Sequence, residues 1–358
     1  MAMKKYTAVI AILSAMLCVT LSLGLSCASA QDKPLVRVSG QPTMHGMPTW
    51  EILEQGIKDL PINIKYMMFP SGAPQVEAMA AGEWDVGAIG TVPMMMSSIR
   101  YGALMIGISN NESETNDLWV RPDSPLLKTK GSNPKYPDLF GTPADWKGKK
   151  ILCTTVSTGH YALSSTLKAL DLKDNEVQII QIEQGQAVAA FASGQGDILQ
   201  MWAPFSYIAE SRGWKKVSSG ARAGAMIPGA IIVRKEYAEK NPEQVVQWLE
   251  IYMKMVAKMK GDHKWGTERL HTYFNDYCGM ELSKELVAKE FELRPLFLPK
   301  EQVTLLTDPN KTKAWMMAIA QFFVDQGRIS KEEMDRYVKN NCFIEPKFME
   351  SVAAKWKN

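Results

Sequence analysis

The sequence contains little that would support metal binding or redox chemistry. Its 358 residues include four histidines and five cysteines, and only three of those cysteines follow residue 31. The histidines, His45, His160, His263 and His271, do not have the short regular spacing of a metal site. We therefore expect no metal ion, no cofactor and no cysteine-based catalysis.

Each of the three later cysteines stands alone in the sequence. Cys153 lies in an apolar segment and is expected to be a small core residue. Cys278 and Cys342 could form a disulfide in an exported protein, but spacing alone does not fix which cysteines pair. Both the bridged and the free state stay open at this point.

An excess of charge of one sign is missing as well. The chain carries 41 basic and 38 acidic residues, a formal net charge of +3. A nearly balanced surface does not favour nucleic acid or an anionic membrane surface as a partner. After residue 30, no apolar run approaches the length of a membrane span.

The first thirty residues form a different kind of segment. A positive start, Lys4-Lys5, precedes an apolar stretch from Ala8 to Gly24, and Ala28-Ser29-Ala30 matches an A-x-A cleavage site. This pattern predicts a secretory signal peptide, residues 1–30, whose removal after Ala30 leaves a periplasmic protein.

Two alternatives to this cleavage are less consistent with the sequence. Ser14, Thr20 and Ser22 interrupt the apolar stretch, which disfavours a retained membrane anchor. Lipidation of Cys27 is disfavoured because Gly24 stands three residues before it, where a lipoprotein signal has leucine. The preferred interpretation is a soluble exported protein.

After the predicted signal peptide, one short sequence motif occurs twice in the chain. Residues 78–90, AMAAGEWDVGAIG, are echoed by residues 190–202, AFASGQGDILQMW. Three pairs align at a constant offset of 112 residues: Val76 with Val188, Gly82 with Gly194, and Asp85 with Asp197. A strand-like apolar segment precedes each copy, at residues 64–69 and 177–182. The repeat predicts two similar α/β units.

Each copy is predicted to run from helix to turn, strand, turn and helix again. A small-residue helix ends at a glycine, the residue that enters the left-handed conformation at least cost. The aspartate that follows, Asp85 or Asp197, is expected to accept hydrogen bonds from N–H groups of the turn, ahead of a short buried strand. Pro93 or Pro204 then fits the first turn of the next helix.

Several segments together resemble a known family. They are the signal peptide, the A-x-G-x-x-D-V-G phrase of the first copy, Trp146-Lys147-Gly148-Lys149-Lys150-Ile151, and Gly194-Gln195-Gly196-Asp197 with Trp202-Ala203-Pro204. Over nearly the whole mature chain they resemble the nitrate/sulfonate/taurine family of periplasmic substrate-binding proteins that serve ABC importers. The resemblance implies a two-lobed α/β fold that closes on a small solute. The chain departs from the family in a long stretch with five prolines, residues 122–144.

The expected architecture combines the repeat with this resemblance. It is a two-lobed periplasmic-binding-protein fold in which each lobe is a mixed, mostly parallel sheet flanked by helices, with a helical C-terminal tail. The predicted boundaries are 31–120 for the first part of lobe I, 121–225 for lobe II, and 226–358 for the return to lobe I and the C-terminal helices.

The candidate site lies where the strands of both lobes end, because open α/β sheets bind ligands at the carboxyl ends of their parallel strands. From the first lobe the candidate ligand-binding residues are Met44, His45, Gly46, Ser71, Gly72, Thr91 and Asn110. From the second lobe they are Ser157, Thr158, Gly159, His160, Tyr161, Gln184 and Trp202.

Within this set, the segment from Ser157 to His160 is the candidate anion site. The helix after Gly159 offers unpaired N–H groups and a positive dipole end, and the hydroxyls of Ser157 and Thr158 stand beside it. An anionic head group could bind there without a lysine or arginine. The alternative is that Ser157 or Thr158 only caps the helix.

Neither His45 nor His160 has an adjacent aspartate or cysteine in the sequence, so a catalytic pair is not expected. For both histidines, ligand contact and simple exposure to solvent stay open.

Met44, Met47 and Tyr161 are expected to form an apolar wall, which favours a solute with a carbon skeleton over a bare inorganic ion. Trp202 either covers the ligand or packs under its loop.

The predicted function is a monomeric, non-catalytic receptor that delivers a small anionic organic solute to an ABC permease. Sulfonate, carboxylate, a taurine-like zwitterion and nitrate stay open as solutes. Two other classes are considered: a periplasmic ligand-sensing module, and an enzyme of the same fold that makes a pyrimidine precursor. The isolated cysteines and the export signal argue against the enzyme.

Overall fold

Two five-stranded β-sheets organise the part of the chain that the computed structural model describes, residues 33–57 and 59–357. The predicted signal peptide lies outside these residues. The strands are β1 (Leu35–Gly40), β2 (Asn63–Met68), β3 (Val86–Gly90), β4 (Leu104–Asn111), β5 (Asn116–Val120), β6 (Lys150–Cys153), β7 (Gln178–Gln181), β8 (Ile198–Trp202), β9 (Lys215–Ser219) and β10 (Pro228–Val233).

The two sheets follow the same strand plan. The order is β2-β1-β3-β10-β4 in the first sheet and β7-β6-β8-β5-β9 in the second. β1 pairs in parallel with β2 and β3, as β6 does with β7 and β8. The other pairings in each sheet are antiparallel. The predicted fold class, two mixed sheets flanked by helices, is confirmed.

Helices cover both sheets and form the C-terminal region. They are α1 (Met47–Glu54), α2 (Gly72–Ala80), α3 (Thr91–Tyr101), α4 (Pro143–Trp146), α5 (Thr158–Ala169), α6 (Gln184–Ala192), α7 (Phe205–Ser211), α8 (Lys235–Lys240), α9 (Pro242–Gly261), α10 (His263–Thr272), α11 (Lys284–Leu293), α12 (Pro299–Thr307), α13 (Ala314–Asp325), α14 (Lys331–Lys339) and α15 (Lys347–Lys355). Within residues 33–57 and 59–357, none of them is long and apolar enough to cross a membrane.

The chain passes between the sheets twice. The first crossing, residues 112–115, joins β4 to β5, and the second joins β9 to β10. The Glu112 N–H donates to the Ile227 carbonyl at 2.8 Å, so the two crossings are hydrogen-bonded to each other. β5 pairs in the second sheet, although the predicted boundary at residue 120 groups it with lobe I, because pairing partners are not encoded in the strand's own apolar pattern. The division into lobes stays a prediction.

The C-terminal helices pack on the first sheet. Trp248, Tyr252 and Met259 of α9 are fully buried in the same apolar core as β1, β3 and β10. Their helical spacing predicts a core role rather than a cofactor site, and their burial confirms it. The first sheet therefore carries most of the apolar core, while the second sheet buries smaller clusters of its own.

The three cysteines of the described residues are free thiols. Cys278 Sγ lies 3.7 Å from Met68 Sδ, and Cys342 is buried, so the bridged alternative is not adopted. Burial raises the pKa of the Cys342 thiol to about 11, which keeps it protonated near neutral pH. Among the described residues, no group of three or more His, Cys, Asp or Glu side chains could hold a metal ion.

The two repeated aspartates accept hydrogen bonds from the neighbouring parallel strand rather than from their own turns. Asp85 Oδ2 accepts from the Arg37 N–H of β1 at 3.1 Å, and Asp197 Oδ2 accepts from the Lys150 N–H of β6 at 2.8 Å. The predicted bonds to N–H groups of the glycine turns are therefore wrong. Arg37 and Lys150 each stand one position before the first paired residues of the two parallel strands, Val38 with Val86 and Ile151 with Ile198, so the carboxylate extends the ladder by one bond.

The repeated glycines have the backbone conformation that the sequence predicts. Gly82 and Gly194 have φ values of +74° and +97°. Asp85 and Asp197 follow three residues later in each copy and begin the approach to the strand. Both turns therefore depend on glycine, because a side chain in the left-handed region is strained.

Gly194→Val should lower the free energy of unfolding by about 1–2 kcal/mol, since a β-branched residue is strained at this φ. Chemical denaturation of the purified protein measures the change. The matched control is Gly261→Val, which places the same side chain in open space at a residue without a positive φ. Equal stability of the two variants would contradict the turn assignment.

Candidate functional site

A small cavity lies between the two sheets, beside the loops that follow their parallel strands. Its volume is about 20 Å³, the space of roughly one water molecule. The first sheet and its loops contribute Gln41, Thr43, His45, Gly72, Gly90, Pro93 and Glu112. The other lining residues are Thr115, Asn116, Ser157, Thr158, Trp202 and Ala203, with Arg294 from the segment after α11.

Several buried polar atoms around this cavity have no hydrogen-bond partner among the described residues. They are Thr43 Oγ1, His45 Nε2 and Asn116 Oδ1, with Ser71 Oγ and Thr91 Oγ1 next to lining residues. The other ring nitrogen of His45, Nδ1, lies 3.4 Å from Glu112 Oε1. Buried polar groups are nearly always hydrogen-bonded, and leaving one unpaired costs about 1–3 kcal/mol. A polar solute in the cavity would supply the missing partners.

Three helices begin at the cavity. They are α2, α3 and α5, which start at Gly72, Thr91 and Thr158. The first N–H groups of a helix have no partner within it and carry a partial positive charge. Three such ends around one small space favour an anionic group there.

Gly90, at the end of β3, lies against Thr158 at the start of α5. A Cβ atom placed on Gly90 would lie 3.1 Å from Thr158 Cγ2, a tighter contact than side chains usually make. Glycine at this position therefore lets the start of α3 come within reach of the start of α5. Gly90 and Thr158 both line the cavity at this contact.

A buried arginine forms the charged wall of the cavity. Arg294 Nη2 donates to Glu112 Oε1 at 2.6 Å, and Nη1 donates to Glu290 Oε2 at 3.2 Å. With its amide oxygen turned to the guanidinium, Asn110 accepts from Arg294 Nε at 2.7 Å and from Nη2 at 2.9 Å. Arg294 thus has all of its principal donors occupied by protein groups.

The charges of this cluster nearly cancel. Burial raises the pKa of the Glu112 carboxyl, but the Arg294 guanidinium and the nearby His45 outweigh that effect and lower it to about 2. Burial raises the pKa of Glu290 and lowers the pKa of His45. Because the Arg294 guanidinium is paired with Glu112 and Glu290, the cavity offers an anion hydrogen-bond donors rather than an unpaired cation.

Ser157 and Thr158 occupy different positions at the start of α5. The Ser157 hydroxyl donates to the Thr154 carbonyl at 2.6 Å and accepts from the His160 N–H at 3.1 Å. It is therefore the cap of the helix, with its hydrogen-bonding capacity directed into the protein. Thr158 lines the cavity and faces Gly90 across it.

His160 points away from the cavity. Its Nε2 lies 3.1 Å from Asp174 Oδ2, and the same carboxylate oxygen accepts from the Ser164 hydroxyl at 2.7 Å. Asp174 is fourteen positions away from His160 in the chain, so no acidic residue next to His160 in the sequence signals this pair. The predicted ligand contact of His160 has no support in this arrangement.

Other predicted site residues are structural neighbours of the cavity rather than part of its lining. Met44 and Met47 are buried in the first core, and the Tyr161 ring packs on Phe322 at 5.4 Å between centroids. The expected apolar wall from these three residues is therefore absent from the cavity. Met44 lies in the turn at residues 44–46 and Met47 begins α1, and both side chains enter the core of the first sheet, while Tyr161 contacts α13 of the C-terminal region.

The remaining candidates support the loops that line the cavity. Gln184 donates to Thr154 Oγ1 at 3.1 Å and accepts from the Trp202 N–H at 3.2 Å. A Cβ on Gly159 would meet the Gln200 side chain, and one on Gly46 would meet the Gln41 carbonyl. Of the fourteen candidates, the lining includes His45, Gly72, Ser157, Thr158 and Trp202.

Sequence reasoning missed nine of the lining residues: Gln41, Thr43, Gly90, Pro93, Glu112, Thr115, Asn116, Ala203 and Arg294. Arg294 does carry a signal: it is a single charge in a mainly apolar stretch, residues 293–298, with Glu290 four positions before it. A charge in such a stretch is normally buried only when it is paired. The partner Glu112 lies 182 positions away, so the pattern predicts burial but not the place.

Comparison with known proteins gives the family of this chain. A profile of the NMT1-like family matches residues 50–264, more than half of the chain. The chain belongs to the NMT1-like family. A putative ABC transporter periplasmic binding protein of Brachyspira hyodysenteriae is 26% identical over 329 residues, which cover 90% of this chain and 93% of the relative.

Two further proteins are similar to this NMT1-like chain, one in sequence and one in fold. The taurine-binding periplasmic protein of Escherichia coli is 27% identical over 190 residues, 52% of this chain and 55% of that protein. The periplasmic aliphatic sulphonate binding protein SsuA from Escherichia coli has the same fold, with a TM-score of 0.63 at 20% identity over 82% of this chain and 88% of that one. The predicted resemblance to periplasmic substrate-binding proteins of ABC importers is confirmed.

Glu112→Gln should remove part of the acid sensitivity of this protein. The Glu112 pKa is lowered from 4.5 to about 2, so its carboxylate stabilises the fold above pH 4.5 and this contribution is lost as the pH falls toward 2. The variant should be less stable near neutral pH and should show a shallower loss of stability across that window. Denaturant unfolding at stepped pH measures both effects.

The control for this experiment is Glu83→Gln, which removes an exposed carboxylate from the first glycine turn. Its stability should follow that of the unsubstituted protein at every pH. If Glu112→Gln instead keeps the full acid dependence, the Arg294–Glu112 pair does not contribute to folding in the way the geometry indicates.

Proposed function

We propose that this protein captures a small organic solute between its two sheets and delivers it to an ABC permease in the inner membrane. One observation carries the proposal: three helix starts and a set of unpaired buried polar atoms converge on one cavity between two sheets of equal plan. The names of the relatives, ABC transporter periplasmic binding protein and taurine-binding periplasmic protein, support it.

The protein acts in the periplasm as a monomer, after cleavage behind Ala30. It performs no catalysis on the solute. The Ser157 hydroxyl, which caps the helix that contains His160, donates to a backbone carbonyl, and His160 is engaged by Asp174, so neither is arranged as a nucleophile with its base.

The solute carries an acidic group, a sulfonate or a carboxylate. The N–H groups at the starts of α2, α3 and α5 and the hydroxyls of Thr43 and Thr158 bind this group. The Glu112 carboxylate and Asn116 Oδ1 are acceptors on the opposite wall, and they favour an amino or hydroxyl group elsewhere on the solute.

Capture involves closure of the two sheets over the solute. A cavity of about 20 Å³ is too small for an organic acid to enter unless the sheets move apart. Contacts between the C-terminal helices and the second sheet's helices stabilise the closed arrangement. They are the ion pair of Lys289 with Glu210 and the packing of Phe322 on Tyr161.

Binding of the true solute should therefore stabilise and compact the protein. At a concentration one hundred times the Kd, a ligand that binds only the folded state adds about 2.7 kcal/mol of stability. Thermal melts with taurine, alkanesulfonates and carboxylates identify the solute, and small-angle scattering should give a smaller radius of gyration with it than without it. Sodium chloride at equal ionic strength is the control. An unchanged radius at saturation would contradict closure.

Thr158→Val and Ser157→Ala should separate binding from capping. Thr158→Val keeps the shape of the side chain but removes a hydroxyl that faces the acidic group, and loss of a hydrogen bond to a charged group costs about 1.5–3 kcal/mol, roughly a ten- to hundredfold loss of affinity. Ser157→Ala should lower stability by about 1 kcal/mol with affinity nearly intact. Calorimetric titration and thermal melts of each variant measure the two effects.

The control is Ser165→Ala, which removes a hydroxyl bonded to the Tyr161 carbonyl farther along α5. Its affinity should equal that of the unsubstituted protein. Intact affinity in Thr158→Val would remove the start of α5 from the anion site.

A further inference from the structure

Three sulfur-bearing side chains meet at the surface of the first sheet. They are Met68 at the end of β2, Cys278 in the segment after α10, and Met280 two positions later. Cys278 Sγ lies 3.7 Å from Met68 Sδ, although 210 positions separate the two residues. Met280 lines the same surface groove as both of them. This cluster lies outside the candidate solute site, because the groove and the small cavity share no lining residue.

The turn that carries Cys278 and Met280 is closed by its own backbone. The Cys278 N–H donates to the Tyr273 carbonyl, and the Met280 N–H donates to the Phe274 carbonyl, both at 2.9 Å. Gly279 between them has a φ of +71°, a conformation that strains most side chains. A defined turn therefore places both sulfur-bearing residues, and little conformational freedom remains to be lost when they bind an ion.

The sulfur atoms of this cluster are accessible from solvent. Met68 is 38% exposed, and Cys278 and Met280 are partly exposed. The groove that they line has a volume of about 690 Å³, which is ample for the entry of an ion. Cys153 and Cys342 differ in this respect, because both are buried.

The donor atoms of the cluster favour one class of ion. Thiolate and thioether sulfurs are soft ligands that select Cu(I), whereas Ca²⁺ and Mg²⁺ take oxygen ligands. Among the described residues that line the groove there is no histidine, and the carboxylate of Glu281 is accompanied by the cation of Arg212. The groove therefore has no excess of negative charge that would favour a divalent ion.

The distance between the two nearest sulfur atoms fits a shared ion. Metal–sulfur bonds of about 2.3 Å place two sulfur ligands about 3.8 Å apart at a tetrahedral angle and about 4.0 Å apart at a trigonal angle. The observed separation of Cys278 Sγ and Met68 Sδ is 3.7 Å. Groups of His, Cys, Asp and Glu among the described residues do not include this cluster, because two of its three donors are methionines.

We propose that Cys278, Met68 and Met280 form a binding site for one Cu(I) ion, held by a thiolate and two thioethers. The Cys278 thiol releases its proton to solvent as its sulfur binds the ion, and no electron is transferred. Met280 is unbranched and has three rotatable bonds, so its sulfur can complete the set of ligands. This site gives the protein a second binding function that is independent of solute capture.

The test is titration of the full mature chain with Cu(I) and with Ag(I), an air-stable probe of the same ligand preference. Anaerobic competition with a chromophoric Cu(I) chelator and calorimetry with Ag(I) in chloride-free buffer should each show one ion per chain. Cys278→Ser should remove this binding. Met68→Leu and Met280→Leu keep the bulk of the side chain and should each weaken it by roughly tenfold or more, since even an outer-shell partner contributes about that much.

Two variants serve as matched controls. Met226→Leu removes a thioether that is 36% exposed and lies outside the groove. Cys342→Ser removes a buried free thiol elsewhere in the first core. Both should bind Cu(I) and Ag(I) with the affinity of the unsubstituted protein, and thermal melts of every variant check that the fold is intact.

Two outcomes would overturn the inference. If neither Cu(I) nor Ag(I) binds at one ion per chain, the cluster is not a metal site. If binding is lost in Cys278→Ser but is unchanged in both Met68→Leu and Met280→Leu, the ion is held by a single surface thiol rather than by a built site. Neither outcome bears on the proposed solute receptor, whose cavity is lined by other residues.

Discussion

A buried arginine constrains the centre of this molecule. Arg294 is 2% exposed, and a buried guanidinium is tolerated only when carboxylates and other acceptors surround it. Its partner Glu112 begins the first crossing between the sheets, and the Glu112 N–H bonds the Ile227 carbonyl of the second crossing. The Asn111 N–H donates to the Pro295 carbonyl at 3.1 Å. Both crossings and the C-terminal region therefore meet at one point.

This meeting point also forms one wall of the cavity. The same Glu112 carboxylate that neutralises Arg294 faces the space between the sheets, so the pairing that fixes the crossings also sets the charge of the site. On the opposite wall Thr158 approaches Gly90. Glu112 therefore belongs both to a crossing and to the lining of the site.

Local pattern predicted much of this fold but only part of the candidate site. The repeat around Gly82 and Gly194 predicted two equal α/β units, because helix, turn and strand signals are short-range and both glycines are needed where φ is positive. Loop position predicted that His45 and Thr158 lie at the cleft. It did not predict that His160 turns away to Asp174, since the direction of a side chain depends on how its helix is rotated against the sheet.

The sequence by itself determined the two units, their turns and the buried C-terminal helices, since these depend on periodicity and on residues close together in the chain. The tertiary structure alone decided which strand each repeated aspartate fastens, which sheet takes β5, and which carboxylate neutralises Arg294. Those contacts join residues as far as 182 positions apart. They form only when the chain has crossed between the sheets and returned, so no short-range sequence pattern predicts them.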